Sequence, residues 1–318
     1  MITRGMFKLF LAITLSVVVS LESITVKWVK SNQEIDPPSE HLVILEEITK
    51  GIVCGIIYLL TKVNSSVIVT DDRRHLLSTG TTNTLITNSN SLLYFMVPAF
   101  LYTVSNNITF AALSYLSSSM FSLLMNLKIP MTGFLAYLIL KKPISHRGWM
   151  ALTMMFFGSV FACVRLTETS VVLNCSFIGM CLMVMYSICS ASAAVCMEYL
   201  TRYRFKDENI FLQNVKFCVY GIIFNLIMTI IRGNIVSWSM QPIHILSVVS
   251  MSLNGLTTAA VIKYAGSITK TYSVAFAALL TSLLAFMIWH QVLTWNYYIG
   301  TALCSVAIQL YVYDKARG

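Results

Sequence analysis

Apolar segments long enough to cross a lipid bilayer recur along the whole chain of 318 residues. A bilayer core is spanned by about 20 apolar residues of α-helix, and lipid offers no partner to an unpaired backbone group, so such segments predict helices. Charged residues make up only 11% of the chain, against 57% hydrophobic residues, whereas a soluble domain carries roughly 25% charge. These proportions exclude a soluble enzyme, a disordered chain and a nucleic-acid-binding domain.

Ten membrane-spanning helices account for these segments, and they predict an all-α membrane protein. A stretch rich in Ser, Thr and Asn at residues 63–90 separates the second segment from the third and predicts a loop. The sequon at Asn174 lies in another polar connection, where glycosylation is left open. The predicted spans are residues 6–28, 41–62, 91–115, 120–140, 148–166, 177–200, 211–231, 243–264, 272–290 and 296–313.

The net charge of +9 is distributed unevenly between the two sets of connections. Thirteen Lys and Arg residues lie at the termini and in the connections on the same side, and four lie on the opposite side. Because basic residues in short loops stay in the cytosol, both termini are predicted to be cytosolic. The positive charge therefore records topology, and no nucleic-acid partner is needed to explain it.

A weak internal repeat divides the ten helices into two groups of five. Shifting the chain by 149 residues lays the fourth span over the ninth, with Tyr115 on Tyr264 and Thr132 on Thr281. A chance match of two Leu- and Ala-rich helices is the alternative. Since five is odd, equivalent helices would cross in opposite directions, which gives two inverted repeats, residues 1–166 and 167–318. In transporters built this way the substrate binds between the repeats near the bilayer midplane.

The sequence lacks the motifs of an integral-membrane enzyme or of a metal site. The eight cysteines lie almost entirely in apolar segments and without CxxC spacing, so free buried thiols are predicted. No HExxH motif and no Ser-His-Asp order falls on facing spans. We expect neither catalysis nor a cofactor nor a metal.

Lys128 is the ionisable residue placed deepest in a predicted span. A charge in the hydrocarbon core costs at least about 2.5–3.5 kcal/mol, so such residues face a cavity or a partner. Pro130, two residues later, is expected to kink this helix. Lys128 either binds an anionic ligand or forms a structural ion pair with Glu47 or Glu198.

Other polar residues at comparable depth extend this group. Glu47 and Lys50 are three residues apart and are expected to form an ion pair on the second helix, near or at the cavity. Lys263 and Lys270 flank a short connection, with snorkelling to the membrane edge as the alternative role. Buried amides need hydrogen-bond partners, and tyrosines offer stacking faces. The remaining members are Glu22, Glu46, Asn106, Asn107, Asn214, Tyr102 and Tyr264. Such a set suits a ligand with phosphates, hydroxyls and a ring, which is a nucleotide conjugate.

Four motifs resemble those of the nucleotide-sugar transporters, in the branch that carries CMP-sialic acid and UDP-sugars. They are EITK at 47–50, YTVSNNITFAALSYL at 102–116, LKIP at 127–130 and VIKYAGSITK at 261–270. The SLNGL segment before the last motif is similar to the probable UDP-sugar transporters. Two segments depart from the family pattern: QNVK at 213–216 replaces R-N-x-Q, and MFS at 120–122 replaces a Tyr-Gln pair.

The resemblance implies an antiporter of ten helices in the Golgi membrane, or secondly in the ER membrane. It would import a cytosolic pyrimidine nucleotide sugar and return the nucleoside monophosphate. Lys128 and Lys270 would contact phosphate, while Tyr102, Asn106 and Asn107 would line the base or sugar pocket. Oligomers with other transporters or glycosyltransferases stay open, as do two other functions: transport of another organic anion, and a transport-inactive scaffold.

Overall fold

A computed structural model describes most of the chain. The described residues are 2–31, 39–72, 91–113, 115–116, 124–141, 143–163, 177–231, 242–289 and 295–317. The predicted boundary between the repeats at residue 166 and the sequon at Asn174 both lie outside these ranges.

The described residues form helices and no strands. A short turn, Ser91–Tyr94, precedes the third helix, and a π-helical turn, Leu200–Arg204, follows the sixth. The ten longer helices are α1 (Ile2–Ser31), α2 (Ser39–Asp72), α3 (Met96–Leu113), α4 (Lys128–Leu140), α5 (His146–Cys163), α6 (Phe177–Tyr199), α7 (Ile210–Ile231), α8 (Pro242–Tyr264), α9 (Ser267–Trp289) and α10 (Trp295–Arg317).

Each predicted span has a helix at its place, but several boundaries differ. The prediction that a loop begins at Val63 was wrong, because α2 continues to Asp72. Sequence periodicity ends where a helix leaves the apolar layer, although the helix itself can continue into water. Helix α9 begins at Ser267 and not at Tyr272, so the connection before it is only Ala265 and Gly266.

The distortion expected at Pro130 lies in the turn before it. Asn126 and Leu127 form a turn, and the regular helix begins at Lys128. A proline ring excludes the carbonyl four residues earlier from the helical ladder, and this carbonyl belongs to Asn126. It accepts instead from the amide of Ile129 at 2.9 Å. Lys128 therefore occupies the first position of a helix and is not held within a continuous one.

Large apolar side chains cover the outside of the bundle. Phe10 is 65% exposed, Ile52 57%, Ile230 63% and Met287 65%. Exposed apolar surface on this scale marks contact with another apolar phase, and for these helices that phase is lipid. Among the described residues, five helical segments are long and apolar enough to cross a membrane by length and composition, at residues 6–25, 177–204, 210–231, 244–264 and 267–288.

The most extensive helix packing joins a helix of the first five with a helix of the last five. α1 packs on α8 and α9, whereas α6 packs on α3 and α4. α2 packs on α7 and α8, and α7 packs on α3 as well. α4 packs on α9, and α5 on α10. These pairs are symmetric between the two halves of the chain. If every helix number is raised or lowered by five, the same set of pairs results; for example, α1–α8 becomes α6–α3.

The pair α5–α10 shows how closely these helices approach. A Cβ atom added to Gly158 on α5 would lie 2.9 Å from Cys304 Sγ and 3.0 Å from the Gly300 carbonyl oxygen on α10. Small residues at such contacts let two backbones come together, which is a common mode of helix packing in lipid. Of the cysteines whose side chains are described, Cys54, Cys218 and Cys304 are buried free thiols as the sequence predicts, whereas Cys181 is exposed and Cys189 and Cys196 are half-buried.

Candidate binding cavity

A cavity of about 370 Å³ lies inside the bundle. Its described lining comes from α1, α2, α3, α4, α6, α7, α8 and α9, so both halves of the chain contribute to it. Of the residues singled out from the sequence, it contains Glu46, Glu47, Lys50, Tyr102, Asn106, Lys128, Asn214 and Lys270.

Lys128 and Lys270 bring two ammonium groups to the cavity, and among the described residues no carboxylate forms an ion pair with either. Lys128 Nζ makes no hydrogen bond or ion pair with any residue in the described part of the chain. The ion pair with Glu47 or Glu198 that the sequence left open is therefore not formed. Lys270 Nζ donates to the hydroxyl of Tyr102 at 3.0 Å and lies 5.2 Å from the centre of its ring. Such a contact with a phenol leaves the charge of Lys270 available to an anion.

The two adjacent asparagines of α3 take different positions. Asn106 lines the cavity and is exposed to it. Asn107 does not line it, since its amide donates to the Thr103 carbonyl at 2.8 Å, one turn earlier on the same helix. Asn214 lines the cavity from α7, next to Phe217. Successive side chains of a helix point in directions about 100° apart, and of these two amides it is Asn106 that points to the cavity.

Another part of the cavity wall, on α2, contains a second set of charges. Lys50 donates to Glu47 Oε1 at 2.7 Å, as their spacing predicts, and its ammonium is also 3.0 Å from Glu46 Oε1. Gly255 on α8 makes room for this side chain, because a Cβ atom there would lie 2.5 Å from Lys50 Cδ. In contrast to Lys128 and Lys270, the ammonium of Lys50 is thus neutralised by two carboxylates.

Glu22 adds a third carboxylate behind the same wall. Its Oε2 accepts from the amide of Asn254 at 2.6 Å, and Asn254 lines the cavity. The side-chain oxygen of Asn254, Oδ1, accepts in turn from the hydroxyl of Thr258 at 3.2 Å. This bond orients the side-chain amide so that its nitrogen faces Glu22. Sequence reasoning placed Glu22 and Glu46 inside the spans but assigned them no partner. Asn254 was visible only as part of the SLNGL segment.

Besides Asn107, two expected site residues, Lys263 and Tyr264, lie outside the cavity. Lys263 Nζ donates to the Glu208 carbonyl at 2.6 Å and to Gln213 Oε1 at 3.0 Å, so it is bound in the connection between α6 and α7. Tyr264 is 42% exposed and meets the ring of Phe7 edge-on. Both residues lie in the last turn of α8, and this position turns their side chains away from the cavity.

A polar network surrounds Lys263 where α6, α7, α8 and α9 are connected, and we call this end of the bundle the connection face. Glu198 is fully buried and accepts from the Ser267 amide at 2.8 Å, the Ser267 hydroxyl at 2.6 Å and Arg202 Nη1 at 2.7 Å. Gly266, between the two helices, has φ +101°, and a Cβ there would lie 2.7 Å from both Glu198 Oε1 and Arg202 Nη1. Glycine is therefore required at this turn.

The network extends to the beginning of the third helix. Lys216 on α7 donates to Glu208 and to the hydroxyl of Ser91, in the turn before α3. Just inside this network, Phe95, Met197, Leu200 and Ile262 form an apolar cluster. Met197 and Ile262 also line the cavity, so the apolar cluster and the polar network separate the cavity from the connection face.

Metal binding has no candidate in the described part of the chain. No group of three His, Cys, Asp or Glu side chains there could hold a metal ion.

Comparison with known proteins places the whole chain in one group. The family model described as nucleotide-sugar transporter matches residues 3–312. The rice (Oryza sativa subsp. japonica) CMP-sialic acid transporter 1 is 29% identical over 250 residues, which cover 70% of this chain and 72% of the rice protein. The Drosophila melanogaster UDP-galactose transporter senju is 28% identical over 263 residues, 70% of this chain and 68% of that protein.

A human protein agrees with this placement, and a solved structure shares the fold. The Homo sapiens UDP-N-acetylglucosamine transporter is 28% identical over 230 residues, which cover 69% of this chain and 70% of the human protein. One crystal structure superposes with a TM-score of 0.65 over 94% of this chain and 95% of its own, at 14% sequence identity. At that identity the superposition shows a shared fold.

Proposed function

Because the chain belongs to the nucleotide-sugar transporter family, we propose that it exchanges a cytosolic pyrimidine nucleotide sugar for a nucleoside monophosphate across the Golgi or ER membrane. The observation that carries this proposal is the pair of ammonium groups, Lys128 and Lys270, inside a cavity that both halves of the chain enclose. Two cations without carboxylate partners at low dielectric constant suit the phosphates of a nucleotide.

The lining residues support an assignment of each part of the ligand to particular side chains. Lys128 and Lys270 would bind the phosphates, and Tyr102, Asn106 and Asn214 would contact the base or the ribose. Asn107, Lys263 and Tyr264 are not assigned to the ligand, since their side chains bond elsewhere or face outward. The same intact site favours a transporter over a transport-inactive scaffold.

The helix pairs support transport by alternating access. The set of packed helix pairs stays the same when every helix number is shifted by five. This symmetry supports two inverted repeats, 1–166 and 167–318, with the cavity between them. The connection face would be cytosolic together with both termini, as the basic connections predict. For a nucleotide sugar to enter from the cytosol, the bonds of Glu198 and Lys263 at this face must open.

The charges of the empty cavity explain why import of one ligand would be coupled to export of the other. Without an anion, Lys128 and Lys270 are unpaired charges, and closing the protein around them would remove their water at a cost of several kcal/mol each. An anionic ligand removes this penalty and so favours the conformational change when the site is loaded. The result is exchange without ATP or a metal.

The test is exchange by the purified protein in proteoliposomes. Vesicles are loaded with UMP or with CMP, and uptake of a labelled UDP-sugar or CMP-sialic acid is followed, with GMP and AMP as competitors. We expect one pyrimidine monophosphate to drive uptake and the purine nucleotides to compete poorly. Equal uptake into empty and loaded vesicles would refute the exchange, and no uptake of any nucleotide sugar would favour another organic anion.

A further inference from the structure

The first turn of α9 joins the cavity to the connection face. Ser267, its first residue, is bonded in the network at that face, and Lys270, three residues later, lines the cavity. We propose that this turn, residues 267–270, keeps the connection face closed while the cavity is empty, and that an anion on Lys270 releases it. We call it the latch turn. The inference rests on the proposed function and names the device that regulates access to its site.

The latch turn is bound to α6 through Glu198. This carboxylate is fully buried, and its Oε2 accepts from the Ser267 amide at 2.8 Å and from the Ser267 hydroxyl at 2.6 Å. Its Oε1 accepts from Arg202 at 2.7 Å, which fixes the carboxylate in this position. Hydrogen bonds to an ionised group are roughly twice as strong as those between neutral groups. The carboxylate also lies at the positive end of the α9 dipole, which is a further favourable contact.

The latch turn is bound to α3 through Lys270. Its ammonium donates to the Tyr102 hydroxyl at 3.0 Å and lies 5.2 Å from the centre of the ring. A phosphate in the cavity offers an ionised acceptor, which binds an ammonium more strongly than a neutral hydroxyl does. Binding of the ligand therefore draws Lys270 away from Tyr102 and removes the connection of the latch turn to α3.

Gly266 gives the latch turn a place to move. α9 packs chiefly on α1, whereas its first turn is held by side chains of α3 and α6. Gly266, directly before the turn, has φ +101°, and glycine moves through this region without a steric penalty. Hinges are often a few such residues at the end of an element. On the other side of Gly266, Lys263 holds α8 to the Glu208 carbonyl and to Gln213. The latch turn can therefore move first, before the bonds of Lys263 open.

The bond between Lys270 and Tyr102 makes the opening depend on the ligand. Residues three apart on a helix move together, so a shift of Lys270 also pulls Ser267 from Glu198. In the closed state a ligand has to replace Tyr102 on Lys270, whereas in the open state Lys270 has already left Tyr102. The ligand consequently binds the open state better, and only such a difference in affinity can shift the equilibrium between two states.

A thiol at residue 200 reports whether the connection face opens. Leu200 is 5% exposed in the apolar cluster with Phe95, Met197 and Ile262, and it is not among the residues that line the cavity. Leu200→Cys is introduced into the whole chain, and its modification by a bulky, water-soluble maleimide is followed by peptide mass in the purified protein. Native Cys304, fully buried where α10 meets α5, is the internal control for general unfolding.

Two variants in this background weaken one connection each. Ser267→Ala removes the hydroxyl bond to Glu198 and keeps the amide bond, whereas Tyr102→Phe removes the hydroxyl that holds Lys270 and keeps the ring. We expect each variant to raise the rate of labelling at residue 200 without ligand by about tenfold, which corresponds to one hydrogen bond to a charged group. The double variant should raise it further.

Ser273→Ala, on the same helix, is the matched control. Ser273 is 4% exposed, and its hydroxyl donates to the Thr269 carbonyl one turn earlier in α9, so its loss should leave labelling at residue 200 unchanged. UMP or CMP should raise the labelling in the protein that has only Leu200→Cys, because the ligand releases Lys270. In proteoliposomes Ser267→Ala should increase uptake into empty vesicles relative to loaded ones, since the connection face then opens without a ligand.

The outcomes separate the latch turn from the proposed function. If neither UMP nor CMP exchanges and no nucleotide sugar competes, the proposed function fails, and the two variants still decide whether the latch turn holds the connection face closed. If a monophosphate exchanges but does not raise the labelling, release by the ligand is wrong. Labelling at residue 200 that stays low in both variants, or that rises equally at Cys304, overturns the latch turn.

Discussion

Replacing Lys128 by Gln separates a ligand-binding charge from a structural one. The ammonium of Lys128 touches no described partner, so its loss should change the Tm of the ligand-free protein by less than about 2 °C. A charge-assisted hydrogen bond to phosphate contributes about 1.5–3 kcal/mol, which corresponds to a roughly 10- to 150-fold weaker nucleotide Kd.

Thermal unfolding of the purified protein measures both effects together. At a monophosphate concentration of about 100 times Kd, binding stabilises the wild-type protein by about 2.7 kcal/mol. If Lys128→Gln raises Kd by about 100-fold, the same concentration stabilises the variant by only about 0.4 kcal/mol. The shift of Tm on adding UMP or CMP should therefore nearly disappear.

Lys50→Gln is the matched control, and it should show the opposite pattern. The ammonium of Lys50 lies between Glu46 and Glu47, and removing one partner of a buried ion pair costs about 3–5 kcal/mol. This variant should unfold at a much lower temperature without ligand. A Lys128→Gln protein that behaves like Lys50→Gln, or that keeps the full ligand-induced shift, contradicts the assignment of Lys128 to phosphate.

Three further predictions concern the bundle. Glu198→Ala leaves the Ser267 and Arg202 donors without their acceptor, and we expect it to lower stability by about 3–5 kcal/mol in thermal unfolding. Gly158→Val should lower the Tm through forced separation of α5 and α10, at about 1–3 kcal/mol, whereas Gly55→Ala should not lower it, since the added Cβ meets no neighbouring helix within 4 Å and alanine favours a helix interior by about 0.5–1 kcal/mol. Epitope tags at both termini should be cleaved by protease in sealed microsomes, and protection of one tag would contradict an even number of spans.

The positions of the helices followed from the sequence because lipid imposes one rule on every span: about 20 apolar residues with all backbone groups paired. The ends of the helices obey no such rule. The extension of α2 to Asp72 lies among Ser, Thr and Asp residues, whose weak helix propensity suggested a loop. Pro130 predicted a distortion of this helix but not its position, and the distortion lies at Asn126 because the proline ring affects the carbonyl four residues before it.

Individual residues of the candidate site were easier to predict from the sequence than the contacts between them. Lys128 was identified because a charge deep in a span needs a cavity or a partner, Lys270 because it is a basic residue beside a short connection, and Tyr102 because its ring offers a stacking face. Spacing along one helix also predicted the Glu47–Lys50 pair. The contact of Glu22 with Asn254 joins α1 to α8, 232 residues apart in the chain, and no local pattern predicts such a pair.

The pairing of helices across the two halves also bears on how the chain is made. α1 packs chiefly on α8 and α9, and α5 packs on α10, so the first helices to leave the ribosome meet their principal neighbours only near the end of synthesis. Until then the faces around Ser16 and Ser20, whose hydroxyls reach α9 carbonyls at 2.9 and 3.0 Å, have only lipid, their own helix or a chaperone beside them. Loss of α10 would leave α5 exposed at Gly158. A nascent chain that ends before α10 would therefore present an unpacked helix surface that quality control can recognise.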